Sequence, residues 1–151
     1  MTNEEKAVDM FKNGYNCSQS VFTACVPDEK INREMKIALA SGFGAGIGRN
    51  AETCGAVSGA IMALGAFLIG NKFESDAAMK AHGIMLADKF VKEFKAAEKT
   101  VICRELLGRD LSIPEEDAYL REKGVYRTRC FDLVKLAVKL TESIIKEYKD
   151  K

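Results

Sequence analysis

Apolar residues recur along this chain at three- and four-residue intervals rather than at every second position, a pattern that predicts an all-α protein. A first helix fits Glu4 to Lys12, with Ala7, Val8 and Phe11 on one face and Asn13-Gly14 as its stop. Asn16 suits the N-cap of a second helix, because Gln19 stands three residues on as a capping-box partner. That helix carries Val21, Phe22 and Ala24 and stops before Pro27. Asn32 caps a third, from Arg33 to about Ser41, and Thr53 an uncharged fourth that runs to about Ile69. A long amphipathic helix fits Asp76 to Lys99, a short one Cys103 to Leu107 before Gly108, and a final one from a Thr128 cap to about Lys149. The charged stretch Arg109 to Tyr126, holding Pro114 and Gly124, reads as a partly helical loop. The expectation is a compact single-domain helical bundle of about five to seven helices, spanning residues 1–151.

Two segments stand out from this pattern. Between Gly42 and Gly48 a glycine falls at every second position, which misses the Gly-x-Gly-x-x-Gly dinucleotide fingerprint, and no strand precedes it. Close backbone packing and turns with positive φ are the expected use of such glycines. In the uncharged helix, Gly55 and Gly59, Ala56 and Ala60, and Gly59 and Ala63 stand four apart on one face. Small residues there let another backbone approach closely, within a bundle or across a homodimer. The absence of charge from Thr53 to Asn71 raises the question of a membrane span. Its repeated glycines and modest Leu, Ile and Phe content argue instead for a buried central helix and no membrane contact.

Composition narrows the function classes. A chain of 151 residues can bury a core without disulfide staples. Lys plus Arg (23) nearly cancels Asp plus Glu (22), and the net charge of +1 creates no field for polyanions. With no tryptophan and no basic block interleaved with aromatics, nucleic-acid binding is not expected. The acidic start, Met1 to Met10, lacks the apolar run of a secretory signal, so a cytoplasmic location is expected.

That location makes the five cysteines informative, because structural disulfides are rare there. No Cys-x-x-Cys pair occurs, so the thioredoxin-like, zinc-ribbon and c-type haem signatures are absent. Placement carries the signal instead. Cys17, Cys54, Cys103 and Cys130 each fall in the first turn of an expected helix, where free N–H groups and the helix dipole favour an anion and should lower a thiol pKa. Brought together, the four would form a reactive dithiol system or a metal-ligand set, for an iron–sulfur cluster or for zinc. Cys25, late in its helix, reads as a packed residue, and so does His82, the only histidine. Glu115-Glu116-Asp117 reads as solvated surface, whereas Arg104 and Glu105 beside Cys103 could tune its thiolate or bind a partner.

The runs Gly14-Tyr15-Asn16-Cys17-Ser18-Gln19, Gly42 to Gly48, Glu52-Thr53-Cys54-Gly55-Ala56-Val57-Ser58-Gly59 and Cys103-Arg104-Glu105-Leu106-Leu107-Gly108, followed by Cys130, resemble the redox-active protein family named for a C-GCAxxG-C-C pattern. Thr53-Cys54-Gly55-Ala56 departs from the literal Gly-Cys-Ala order. The resemblance implies that Cys17, Cys54, Cys103 and Cys130 are the signature cysteines, as redox thiols or as metal ligands. A related domain in split-Soret cytochromes accompanies haem and an iron–sulfur site, so the resemblance also implies a cluster as a possible cofactor. Gly55, Gly59 and Arg104 are the candidate cofactor-binding positions. The expected function is thiol/disulfide redox chemistry or electron transfer, with a redox protein or a small thiol or oxidant as partner. The alternatives are a structural or binding protein with inert cysteines, and a structural zinc protein.

Overall fold

The computed structural model describes every residue from Met1 to Lys151. Eight α-helices follow one another without a strand: α1 (Asn3–Lys12), α2 (Cys17–Cys25), α3 (Arg33–Ala40), α4 (Gly55–Phe67), α5 (Asp76–Glu98), α6 (Cys103–Leu107), α7 (Pro114–Glu122) and α8 (Arg129–Lys149). Two short 3₁₀ turns, Ser41–Phe43 and Val125–Arg127, complete the order. The class is therefore all-α, with more helices than the five to seven expected. The addition is α7, inside the stretch read as partly helical; Pro114 opens it, its missing N–H being one the first turn would leave unpaired anyway.

Local chemistry explains the helix starts. Thr2 and Glu5 form a capping box on α1, Asn16 and Gln19 the same on α2, and the Asn32 side chain caps α3. Two expected caps behave differently. Cys54, not Thr53, is the N-cap of α4 and makes no side-chain cap bond; Thr53 instead bridges to Ile102. Thr128 stands at the N-cap of α8, but its hydroxyl donates to the Gly124 carbonyl.

The uncharged helix α4 is the central element, as its composition implied, and packs against α2, α5 and α8. Val57, Ala60 and Leu64 of α4 share one core with Val21, Leu86, Phe90, Phe94, Val134 and Val138. The small-residue face of α4 is covered within the chain: a Cβ at Gly59 would lie 2.7 Å from the Ser18 carbonyl oxygen of α2. That face is thus used in the bundle. A separate small cluster of Ala51, Cys103, Leu111 and Leu120 seats α6 and α7 against the segment that follows α3. No helix is long and apolar enough to cross a membrane.

Candidate redox site

Each of the four cysteines is delivered to one place by a distinct local device. Cys17 is the first residue of α2, whose start is fixed by Asn16; the Asn16 amide donates to the Ser41 carbonyl at 2.9 Å and its side chain lies against Gly44. Cys54 and Cys103 are tied by backbone bonds between their segments. Cys54 N–H donates to the Val101 carbonyl (2.8 Å), Cys103 N–H to that of Glu52 (2.6 Å) and Arg104 N–H to that of Ala51 (3.2 Å). Cys130 is the second residue of α8, and the preceding Arg129 donates to the Leu106 carbonyl (3.1 Å) and pairs with Glu98 (2.6 Å).

These devices bring Cys17, Cys54, Cys103 and Cys130 to the wall of a single cavity of about 310 Å³, mostly apolar. All four thiols are free. Gly55 lines the cavity as well, and any Cβ there would run into the Cys17 sulfur. Gly59 and Arg104 do not line it: Gly59 faces Ser18, and Arg104 donates to the Ala51 carbonyl (3.1 Å) and pairs with Glu52 (3.2 Å). Cys25, the last residue of α2, lies outside, against Thr141 of α8. His82 contacts the Tyr148 hydroxyl through Nδ1 at 2.9 Å, beside the Phe73 ring.

The glycine-rich segment forms another wall, through Ala45, Gly46 and Arg49. Five consecutive residues, Ala45 to Arg49, have positive φ, and Ala51 does too. Left-handed backbone at Ala45, Ile47, Arg49 and Ala51 costs about 1–2 kcal/mol per residue relative to ordinary conformations. Cross-loop bonds hold it, among them Gly48 N–H to the Gly42 carbonyl (2.8 Å) and Glu52 N–H to that of Gly46 (2.9 Å). Backbone N–H groups of Ala45 from this segment, of Cys17 and Ser18 from α2 and of Gly55 from α4 act on the Cys17 sulfur, and those of Ala56 and Val57 of α4 on the Cys54 sulfur. Such N–H pockets favour negative charge.

The electrostatic outcome nevertheless corrects the expectation of acidic thiols. Burial pushes Cys17 up and Cys54 well up, outweighing the backbone donors. Cys103 and Cys130 rise to about 12, again mainly through burial and then through the neighbouring Cys17. Cys17 keeps part of its surface open, but protein surrounds its sulfur. No three His, Cys, Asp or Glu side chains are grouped as ligands of one metal ion.

Sequence reasoning missed the polar side of the cavity. Arg49, Arg121 and Tyr126 line it, and all three meet Asp117, whose side chain is only 20% exposed and is not the solvated surface acid expected. Tyr126 donates to Asp117 Oδ1 at 2.6 Å. The one available signal was Asp117, Arg121 and Tyr126 in a stretch too irregular to assign a face, and Arg49, in the glycine-rich segment, gave none.

The fold and this cavity define an all-helical protein built around a shared four-cysteine site. The chain belongs to the family described as "Putative redox-active protein (C_GCAxxG_C_C)", whose model matches residues 15–144. No curated protein and no solved structure matches the chain.

Proposed function

We propose that Cys17, Cys54, Cys103 and Cys130 act as one redox site and that they hold an iron–sulfur cluster. The observation that carries this reading is the convergence of four cysteines, from the starts of four different helices, on one cavity. A thiol with a pKa of about 12 is ionised to only on the order of 10⁻⁵ at neutral pH, a poor state for nucleophilic exchange. Cys17, Cys54, Cys103 and Cys130 would hold the iron as thiolates, giving up their protons to bulk water on binding, and the metal charge would compensate the buried sulfurs. The donor chemistry suits a cluster, which takes about one thiolate per iron rather than three on one ion: soft thiols for iron, and backbone N–H groups at the Cys17 and Cys54 sulfurs to spread negative charge. Bound there, a cluster supplies one-electron transfer. The chain's own part is to exclude water through the apolar wall and to hold the sulfurs, with Gly55 leaving room for that of Cys17.

Dithiol chemistry is the second reading. Its support is that Cys17 and Cys54 lie close enough for the charge of one to raise the pKa of the other. Reconstitution with iron and sulfide without oxygen separates the two. The cluster reading expects visible charge-transfer absorption and bound iron, lost in Cys17→Ser, Cys54→Ser, Cys103→Ser and Cys130→Ser and retained in Cys25→Ser. Metal-free protein that closes a Cys17–Cys54 disulfide on mild oxidation would instead establish the dithiol. Neither iron uptake nor disulfide formation would defeat both.

A further inference from the structure

Two arginines stand at the polar side of the cysteine cavity, Arg49 from the left-handed segment and Arg121 from α7. Asp117 lies between them, 3.5 Å from Arg49 Nη2 and 3.2 Å from Arg121 Nε. One carboxylate therefore answers two guanidiniums, and it also accepts the Tyr126 hydroxyl. Arg121 spends one N–H on Asp117 and Arg49 makes only its longer ion pair, so both forks keep unused donors. Their side chains are 56% and 61% exposed, within reach of a solute. Two further acids lie nearby: Glu52 pairs with Arg104, and Asp110 accepts from Ser112 while its charge still acts on Cys103. Burial, then Cys17 and Asp110, raise the Cys103 pKa, and Arg104 and after it Arg49 act in the opposite direction.

We infer that Arg49 and Arg121 form an anion-recognition site beside Cys103, which admits a small molecule bearing a carboxylate or phosphate to the redox centre. The inference rests on the four cysteines being the reactive site and adds the class of its substrate or electron donor. Planar guanidinium forks match two-oxygen anions, and the Asp117 carboxylate keeps both arginines in place until such a group arrives. The Tyr126 hydroxyl holds that carboxylate in turn.

Charge-selective alkylation of the metal-free protein at mildly alkaline pH tests this without any need for iron. Iodoacetate and iodoacetamide are similar in size and differ in charge, and modification of Cys103 is read by peptide mass. The expected result is that the iodoacetate-to-iodoacetamide rate ratio at Cys103 falls roughly two- to fivefold in Arg49→Gln and in Arg121→Gln, the range for exposed charge contacts. Inorganic phosphate at constant ionic strength should protect Cys103 from iodoacetate in the wild type and fail to do so in the double variant. An unchanged ratio in both single variants, with circular dichroism matching the wild type, overturns the site, and so does a wild-type Cys103 that neither reagent modifies, since no solute is then admitted to it. An equal fall in Lys92→Gln, a surface lysine on α5 paired with Asp88, would reduce the effect to general charge and overturn it too. Failure to bind iron leaves these outcomes unaffected, so the two proposals fall separately.

Discussion

Three glycines of α4 show how differently the same residue type is used along one helix. A Cβ at Gly55 meets the Cys17 sulfur and lies 3.0 Å from the Phe43 carbonyl oxygen, whereas one at Gly65 meets nothing within 4 Å. Gly59→Ala places its methyl against the Ser18 backbone, which cannot rotate aside. Gly55→Ala and Gly59→Ala should each destabilise the protein by about 1–3 kcal/mol, as overpacking does. Gly65→Ala should be neutral or stabilise by up to about 1 kcal/mol through helix propensity. Urea midpoints under reducing conditions check the set; equal midpoints for Gly55→Ala and Gly65→Ala would mean that α2 and α4 do not approach as closely as described. The spacing of Gly55 and Gly59 could be read from the sequence, but their neighbours could not, because a four-residue interval marks a face without saying what covers it.

Besides the burial of Leu120, helix α7 is held beside the cavity by Asp117, through Arg49 of the left-handed segment between α3 and α4 and Tyr126 of the turn that follows α7. Those bonds keep the Asp117 carboxyl below the usual carboxylate range, with the Tyr126 hydroxyl as the largest cause. Asp117→Asn removes the charge on which both arginines rely while keeping the shape. The expected outcome is faster amide hydrogen exchange across α7 and the Val125–Arg127 turn, with protection in α4 and α8 unchanged. Uniform loss of protection throughout the chain would show that α7 is part of the global folding unit rather than a locally opening cover. The element itself was half visible beforehand: Pro114 and three acids make a good first turn, but the charged face hid the one buried apolar side chain, Leu120, that anchors it.

Burial of the thiols couples the stability of the whole molecule to pH. In the unfolded chain a cysteine titrates near 8.5, and in the folded protein Cys103 titrates near 12 with Cys54 raised as well. The folded state therefore holds protons that the unfolded state releases. This contribution is fully present below about pH 8.5 and is lost as pH rises toward 12. For the metal-free, reduced protein, each such thiol should lower unfolding free energy by up to about 1.4 kcal/mol per pH unit within that window. Denaturant titrations from neutral to alkaline pH measure the slope, which Cys54→Ser should make shallower. A slope equal to that of the variant would show that Cys54 titrates alike in both states. Iron bound to the sulfurs should flatten the dependence, since thiolates are then the ligands of the folded state.

The helical class, most helix starts, the Asn16 capping box and the first-turn positions of Cys17, Cys103 and Cys130 were legible in the amino-acid order, with Cys54 one residue off as an N-cap, because periodicity, caps and breakers act over a few residues. The family pattern in the cysteine and glycine runs was legible for the same reason. Meeting of those cysteines in one cavity depended on contacts between distant segments, such as the backbone bonds joining residues 51–54 to 101–104. The direction of the thiol pKa shifts likewise belonged to the folded molecule. A helix start favours a thiolate locally, but the surrounding protein withdraws water from the sulfur, and that desolvation outweighs the backbone donors. Arg49, Asp117, Arg121 and Tyr126 became one cluster only when packing of Ala51, Cys103, Leu111 and Leu120 seated α7 on the left-handed segment.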